Sequence, residues 1–429
     1  MEARIVYSVS MLTAHSNIYP EHLGKCVRTP WFCSTILTFR LEYVDQVLAY
    51  ANKKVAEYAN SADLHSASTQ ANILALLEAP IKSYLSLFTA LALPNFIPLL
   101  HSQTYPTRRA VAGEVARSLL RNQTKISSPE HLEGVLEISR VLIREGSQQS
   151  AGYPGVPSQR RGAETEETVI EQGWLARVVH LIQAPDNDTQ FKLLHSTRKA
   201  FSDGNERIKY TTPALINSSL KLARKYKARE HFEDNWSSQS SALYKFMHSS
   251  ISALYTRNGA ADLCLRLFIS CGQIADQGAF EEVAYEFFAQ AFTIYEEAVS
   301  DSRAQFQAVC VIAGALHGTR GFSKENYDTL ITKCALHGSK LLKKPDQCRA
   351  VYLASHLWWA VDIPAKGEEE SKDVSVKASA NGTLVKWCSL TPHSFIGTGS
   401  GSSSAFNAPC GLLMHVWTLR YQWSSLLRS

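Results

Sequence analysis

The stretch that decides the fold is LEYVDQVLAYANKKVAEYA, residues 41–59. Its apolar side chains recur at alternating spacings of three and four residues, a period that places them on one stripe of an α-helix. The stripe consists of Leu41, Val44, Leu48, Ala51, Val55 and Tyr58. Charged side chains fall on the other faces. We therefore predict an amphipathic helix that needs a neighbour to cover its apolar side.

The same period recurs in the segment that begins at Pro106. The apolar side chains predicted to line up on one face are Val111, Val115, Leu119 and Leu120. The charged side chains predicted to lie on the solvent side are Arg108, Arg109, Glu114 and Arg117. A second amphipathic helix is therefore expected soon after the first.

Helix boundaries are marked by residues that favour helix ends. At residues 128–130, Ser-Pro-Glu supplies a cap-type serine, a proline for the first helical position and an acid for the first turn. In LLKKPDQCRAV, residues 341–351, Lys343 and Lys344 are predicted to lie at a helix C-terminus, where cations suit the partial negative charge. Pro345 is predicted to open the next helix.

Predicted helices of about 15 to 20 residues, separated by short Gly-, Pro-, Asp- or Asn-containing turns, continue through most of the chain. No segment shows the sustained two-residue alternation typical of strands, so we predict essentially no sheet. One globular bundle rarely holds so many helices, whereas stacked pairs bury each stripe against the next. The predicted fold class is all-α, a HEAT-like α-solenoid of stacked antiparallel helix pairs.

Composition narrows the function classes. The chain has 429 residues, of which 45% are hydrophobic and 19% charged, as in ordinary folded proteins. The net charge of +5 is mild, and no dense basic stripe with interleaved aromatics occurs, so no nucleic-acid partner is expected. The nine cysteines are scattered without a Cys-x-x-Cys pair, which favours free thiols in a reducing compartment.

One segment resembles a membrane span. Residues 83–107 contain no Asp, Glu, Lys or Arg, but Pro94, Asn95 and Pro98 interrupt them. Two buried helices joined by a tight turn are therefore predicted instead of one spanning helix. Residues 1–16 have a weak apolar run without a clean cleavage site, so no signal peptide is predicted. The pattern is typical of a soluble protein.

The sequence contains no recognisable catalytic motif. Gly397–Gly401, GTGSG, resembles a phosphate loop but lacks a lysine and a preceding strand, so a flexible tail is predicted. Cys334 and His337 have the spacing of two metal ligands on a helix, without a second pair nearby. A core thiol beside a surface histidine is predicted there. We expect no catalytic residue, no metal and no cofactor, and hence no enzyme.

Five aromatic side chains follow closely on one predicted helix: Tyr285, Phe287, Phe288, Phe292 and Tyr295. They cover too wide an arc for one narrow apolar stripe. Phe287 is predicted to face the core. The remaining rings are expected to meet either a neighbouring helix or a partner protein.

Two stretches carry a family resemblance. AYEFFAQAFTIYEEAVSDSRAQ, residues 284–305, and residues 322–359, which contain LLKKPDQCRAV, closely resemble the C-terminal half of the vacuolar protein sorting-associated protein 35 family. Residues 40–51 and 205–227 fit the same family in the right order, and the resemblance covers roughly residues 40–361. That family is the large α-solenoid subunit of retromer, the endosomal cargo-recycling coat. The resemblance implies a non-enzymatic scaffold of retrograde transport from endosomes to the Golgi or plasma membrane, cytoplasmic and peripheral on the cytosolic face of endosomes.

The chain also departs from the family pattern. The family's N-terminal half has no counterpart, and the motif Pro-Arg-Leu-Tyr-Leu-Met, which engages the arrestin-like subunit, is absent. The two ends do not resemble the family, and we expect them to come from an aberrant or fragmentary gene model. The predicted organisation is an atypical segment at 1–39, helical repeats at 40–145, a disordered loop at 146–167, partner-binding repeats at 168–362 and an atypical low-complexity tail at 363–429.

The resemblance implies a specific partner. In this family the C-terminal solenoid curls around a metallophosphoesterase-fold subunit, so the last matched helices are expected to bind the same subunit here. The predicted contact residues are His356, Trp358 and Trp359, with Gln347 and Arg349 as further candidates. Adjacent tryptophans point about 100° apart on a helix, so both cannot fill one core position.

A second contact is predicted where Asp301 and Arg303 lie on a turn between two helices. The resemblance implies an edge there for accessory endosomal partners such as the actin-regulating WASH complex. The alternative to a retromer subunit is another helical-repeat scaffold, for instance a coat adaptor or a nuclear-transport-like array with different partners.

Overall fold

The computed structural model describes residues 41–59, 64, 66–84, 86–144 and 166–358. The predicted N-terminal segment, the tail and most of the predicted internal loop lie outside these residues, as does Trp359. The predicted loop boundary is wrong at its end, because Glu166 and Glu167 already belong to a helix.

The described residues fold as successive α-helices. They are α1 (Leu41–Glu57), α2 (Ala67–Ser83), α3 (Leu87–Leu91), α4 (Phe96–His101), α5 (Tyr105–Asn122), α6 (Pro129–Ile143), α7 (Glu166–Val179), α8 (Asn187–Phe201), α9 (Ile208–Ala228), α10 (Trp236–Asn258), α11 (Ala261–Gln277), α12 (Glu281–Ala298), α13 (Ser302–Gly318), α14 (Lys324–Ser339) and α15 (Lys344–Ser355). Two 3-10 helices span Ser202–Arg207 and His356–Trp358. Within this part of the chain, the β contact is an isolated bridge between Ile126 and Ile182.

The helices from α5 onward pack in two layers. Each odd-numbered helix contacts the next odd-numbered helix, as α5 contacts α7 and α11 contacts α13. Helices α5, α9, α11 and α13 each also pack on the even-numbered helix that follows, whereas α8 packs on α9 and α6. Short turns join the members of a pair, so they run antiparallel. The predicted all-α solenoid of stacked helix pairs is confirmed.

A continuous apolar core runs along the described array from Val44 to Leu357. In α1 the predicted stripe is buried at Val44, Leu48 and Val55, whereas Leu41 at the helix start remains exposed. Burial of each such side chain contributes on the order of 1.5–3 kcal/mol, so the array is stabilised repeat by repeat.

The helix ends follow the predicted rules in most places. The Ser128 hydroxyl accepts a hydrogen bond from the His131 N–H, and Pro129 is the first residue of α6, as predicted. Residues 83–107 form α3 and α4 with a turn between them, so the predicted interruption is confirmed. In the described residues, none of the helices combines the length and hydropathy needed to cross a bilayer.

Two predicted positions are wrong. Glu114 is buried, not on the solvent side, and its carboxylate lies 2.7 Å from Arg117 and 3.5 Å from Arg121. A carboxylate can be buried there because two guanidinium groups compensate its charge. Lys344 is the first residue of α15 and Lys343 is its N-cap, so both lie at the start of the next helix and not at the preceding C-terminus.

Polar side chains join consecutive repeats. The Arg109 guanidinium donates two hydrogen bonds to the Glu171 carboxylate, at 2.8 and 3.0 Å, and so connects α5 to α7. The Arg207 guanidinium donates to the carbonyls of Leu142 and Arg144 at the end of α6. These bonds satisfy terminal carbonyl groups that have no partner within their own helix.

Candidate docking site on the last described helix

The turn before α15 positions the predicted contact residues. Helix α14 ends at Ser339, and buried Leu341 anchors the turn in the core. The Gln347 side chain donates a hydrogen bond to the Leu341 carbonyl, which ties the first turn of α15 to the preceding loop. Pro345 lies in the first turn of α15, as predicted, because that position needs no backbone donor.

Helix α15 has one covered face and one open face. Ala350, Ala354 and the following Leu357 are buried against the array. Tyr352 and Leu353, which lie outside this buried face, are 44% and 41% exposed. Large apolar side chains on an outer helix face are typical of surfaces that another protein covers. The open face of α15 is therefore the candidate docking site.

Two of the predicted contact residues lie beside this face. The His356 ring packs edge-on against Tyr352, with 4.8 Å between ring centroids, and both side chains are partly or fully exposed. Trp358 is partly buried against the core, so it is not the fully exposed anchor that its sequence position indicated. Its Nε1 atom is buried and finds no hydrogen-bond acceptor among the described residues.

The remaining predicted contact residues on α15 have different roles. Gln347 is partly buried, and its hydrogen bond to the turn makes it a structural residue. The Arg349 side chain is 69% exposed, and its guanidinium lies 3.8 Å from the Asp346 carboxylate. Of these two, Arg349 is the one that is available to a partner.

Sequence reasoning missed Tyr352 and Leu353. Cys348 follows Pro345 by three residues and Tyr352 follows Cys348 by four, which is the pattern of an apolar stripe, and Leu353 lies next to it. That signal was present in the sequence, but the period predicts a stripe without showing whether a neighbouring helix covers it.

Asp301 is the N-cap of α13, whereas Arg303 is already the second residue of that helix, so the predicted turn position is wrong for Arg303. The Asp301 carboxylate accepts a 2.8 Å hydrogen bond from the Ala304 N–H and caps α13. Both side chains are exposed. Asp301 therefore has a structural role, whereas Arg303 takes no part in capping the helix.

The predicted environment of Cys334 and His337 is half right. Cys334 is fully buried, and burial raises the pKa of its thiol to about 12. His337 is not a surface residue: its ring lies against Phe292 and Tyr295, and its Nε2 is 2.9 Å from the Glu296 carboxylate. The described residues contain no cluster of three or more His, Cys, Asp or Glu side chains that could hold a metal ion.

The aromatic set on α12 meets neighbouring helices. Phe287, Phe288 and Phe292 are fully buried, and Tyr295 is nearly so. Phe287 packs against Phe268 of α11, with 6.1 Å between ring centroids. The predicted core position of Phe287 is confirmed. Of the two alternatives for the remaining rings, burial against neighbouring parts of the array is confirmed for Phe288, Phe292 and Tyr295.

The partly buried position of His337 predicts a pH dependence of stability. Burial lowers the pKa of His337, and the nearby Glu296 carboxylate opposes part of that shift, while Lys333 and Lys340 add to it. The neutral ring therefore stabilises the fold fully above the ordinary histidine pKa of about 6.5, and this contribution is lost as the pH falls below it. We expect the melting temperature to fall less steeply from pH 7.5 to about 5.5 in His337→Gln than in the natural chain. Parallel melting curves for the two proteins would contradict this assignment.

The comparisons with known proteins agree with the fold. The model of the family described as Vacuolar protein sorting-associated protein 35 matches residues 21–388. The chain is 34% identical to Vacuolar protein sorting-associated protein 35 of Schizosaccharomyces pombe over 344 residues, which cover 78% of this chain and 38% of that relative. It is 34% identical to Vacuolar protein sorting-associated protein 35A of Arabidopsis thaliana over 328 residues, covering 75% of this chain and 40% of that relative.

These matches set the extent of the similarity. The chain spans about two fifths of the length of the relatives it matches. The family match begins before residue 40 and continues beyond residue 361, so the range expected from the resemblance was too short at both ends. The match covers more than half of the chain and agrees with the helical array. The chain belongs to the vacuolar protein sorting-associated protein 35 family.

Proposed function

We propose that this chain is a non-enzymatic scaffold of the retromer coat. In this proposal it acts in retrograde protein transport from endosomes to the Golgi or plasma membrane, on the cytosolic face of endosomes. Family membership and the stacked helical array support the proposal, because such arrays offer long surfaces for partner proteins.

The proposed partner at the open face of α15 is the metallophosphoesterase-fold subunit of retromer. The observation that carries this proposal is the exposure of Tyr352 and Leu353 on a helix that buries Ala350 and Ala354 against the array. His356 extends the surface by packing on Tyr352, and Arg349 adds an exposed cation at its edge. Central apolar side chains with a polar rim are typical of protein interfaces.

A pull-down tests this proposal. We expect the purified chain to bind the isolated metallophosphoesterase-fold subunit, and the double variant Tyr352→Ser/Leu353→Ser to bind it at least about tenfold more weakly, since two central apolar contacts are lost. His356→Arg is expected to weaken binding because a larger cation cannot keep the packing on Tyr352. Trp359→Ala tests the predicted contact that lies outside the described residues.

The controls separate docking from folding. Arg266→Ala changes an exposed residue on α11, far along the array, and is expected to bind as the natural chain does. Circular dichroism checks that each variant stays helical. Undiminished binding by the Tyr352/Leu353 double variant would show that the open face of α15 is not the docking site. Co-purification of an unrelated set of proteins would favour a different helical-repeat scaffold.

We propose a second, accessory contact at the start of α13. The exposed Arg303 and Asp301 there are the candidate residues for an endosomal partner such as the WASH complex. Arg303→Glu is the preferred probe, because Asp301 also caps α13 and its loss would disturb the helix. In this proposal Arg303→Glu reduces capture of that complex and leaves the pull-down of the metallophosphoesterase-fold subunit unchanged.

A further inference from the structure

The turn between α9 and α10 carries an unusually exposed ring. The Phe232 side chain is 86% exposed, more than any other large hydrophobic side chain in the described part of the chain. The turn is held by its own backbone: the N–H groups of Phe232 and Glu233 both donate to the Arg229 carbonyl, at 2.9 and 3.1 Å. The ring therefore projects from a hydrogen-bonded turn, which we call the Phe232 turn, residues 229–235.

A basic stripe leads along α9 to this turn. Lys221 and Lys225 are four residues apart, about one helical turn, on the exposed face of α9, and Arg224 lies beside them. No described carboxylate forms an ion pair with these three side chains, whereas Lys227 and Arg229 pair with Glu230 and Glu233. The stripe of Lys221, Arg224 and Lys225 is thus the uncompensated charge next to the Phe232 turn.

The neighbouring helix extends the same basic surface. The Nδ1 atom of His180, just after α7, lies 3.4 Å from the Ser218 hydroxyl of α9. Burial and the nearby Lys221 lower the pKa of His180, so the cation at this end of α7 is the exposed Arg177, three residues earlier. Cations therefore occur near the C-terminal ends of both odd-numbered helices, where they suit the helix dipole.

The acidic residues at the start of α8 lie in the layer of even-numbered helices. Asp186 caps α8, and Asp188 in its first turn accepts a hydrogen bond from Gln239 of α10. Acids at the starts of even-numbered helices and cations at the ends of odd-numbered helices follow from the same dipole preference. The C-terminal part of α9 therefore carries a local excess of cations, whereas exposed acids lie at the start of α7. Within the Phe232 turn, Glu230 and Glu233 are paired with Lys227 and Arg229, and Asp234 is a third acid.

We propose that the Phe232 turn and the basic stripe of Lys221, Arg224 and Lys225 form a contact surface for an anionic lipid bilayer. A single ring that projects from a turn suits insertion between lipid headgroups, and the stripe suits their negative charge. An acidic peptide could use the three cations but would give the projecting Phe232 ring no partner, whereas a bilayer uses both features. This proposal does not rest on the docking of any coat subunit.

Vesicle flotation with the full 429-residue chain tests the proposal. We expect binding to vesicles of phosphatidylcholine with about 30% phosphatidylserine, and none to phosphatidylcholine alone. Raising the salt from about 0.1 to about 0.5 M should release the chain, because exposed charges are then screened. Phe232→Ser is expected to weaken binding roughly tenfold, and it leaves the fold intact because the ring makes little contact.

Charge variants complete the test. The triple variant Lys221→Gln/Arg224→Gln/Lys225→Gln is expected to bind roughly 100-fold more weakly, since the loss of each surface cation lowers the affinity for the vesicle about fivefold. The matched control is Lys192→Gln/Lys199→Gln/Lys245→Gln, three exposed lysines of α8 and α10 in the other layer. Leu342→Ser is the matched control for Phe232→Ser, because Leu342 is a highly exposed apolar side chain in the turn before α15, far along the array. Both controls should bind as the natural chain does.

Three results would overturn the proposal. Equal binding to both vesicle types would show that charge has no part in it. Equal losses in the test and control variants would show that the effect is not local to this surface. If the chain ignores vesicles but is retained by an immobilised acidic peptide through the same three cations, the surface binds proteins and the lipid assignment is wrong.

Discussion

Replacing Gly272 by leucine is expected to destabilise the array by about 3 kcal/mol or more. A Cβ atom at this position would lie 2.9 Å from two ring carbons of Phe288 and 3.4 Å from the Phe287 Cβ. The Phe288 ring is fully buried and packs on Phe322, with 5.9 Å between centroids, so it has little room to move. The absence of a side chain at Gly272 is what allows α11 and α12 to approach so closely.

Gly314→Ala is the matched control for that substitution. Gly314 lies in the next odd-numbered helix, α13, and a Cβ there would meet no atom within 4 Å. Alanine should therefore stabilise α13 by about 0.5–1 kcal/mol through its helix propensity alone. Thermal melts followed by circular dichroism compare the two, and hydrogen exchange in α11 and α12 shows whether the Gly272→Leu effect is local. A melting temperature that is unchanged in Gly272→Leu would contradict the close contact.

Removing the Asp276 carboxylate is expected to cost about 2–4 kcal/mol. Asp276 is buried near the end of α11, and its two oxygens accept hydrogen bonds from the N–H groups of Arg320 and Gly321, at 2.9 and 2.7 Å. These residues form the turn between α13 and α14, so the carboxylate joins one repeat to the next. In Asp276→Ala both donors lose their acceptor, and the turn should exchange its amide hydrogens faster.

Two further variants test whether the loss of stability comes from the hydrogen bonds of the Asp276 carboxylate. Asp276→Asn keeps the shape and one acceptor oxygen, so its loss of stability should fall between those of the natural chain and Asp276→Ala. Asp262→Ala removes a carboxylate from the same helix, but its pair with Arg266 is exposed, so the change should stay within about 0.5 kcal/mol. Equal melting temperatures for Asp276→Ala and Asp262→Ala would refute the role assigned to Asp276.

The elements that the sequence predicted well depend on near neighbours along the chain. The stripe at Val44, Leu48 and Val55 follows from a period of 3.6 residues, and the Ser128 cap acts on a backbone group three residues away. A proline turn between α3 and α4 is equally local. The helical character of the array and many of its helix ends were therefore readable from sequence.

The candidate docking site was predicted only in part. His356 lies beside the open face of α15 and Arg349 is exposed, whereas Gln347 proves to be structural and Trp358 is partly buried. A period shows which residues share a face, but not whether another helix covers that face. The roles of Tyr352 and Leu353 therefore needed the tertiary structure.

By itself, the sequence determined that this protein is a chain of amphipathic helices that must stack, because helix period and end signals act over a few residues. Only the tertiary structure decided which charges are buried and which apolar side chains stay in water. Glu114 is buried because Arg117 and Arg121 neutralise it, and Asp276 finds its donors 44 and 45 residues away. Arg117 and Arg121 lie on the same helix as Glu114, but the burial of that carboxylate depends on the helices that pack against α5. The partners of Asp276 reach it only when the repeats pack.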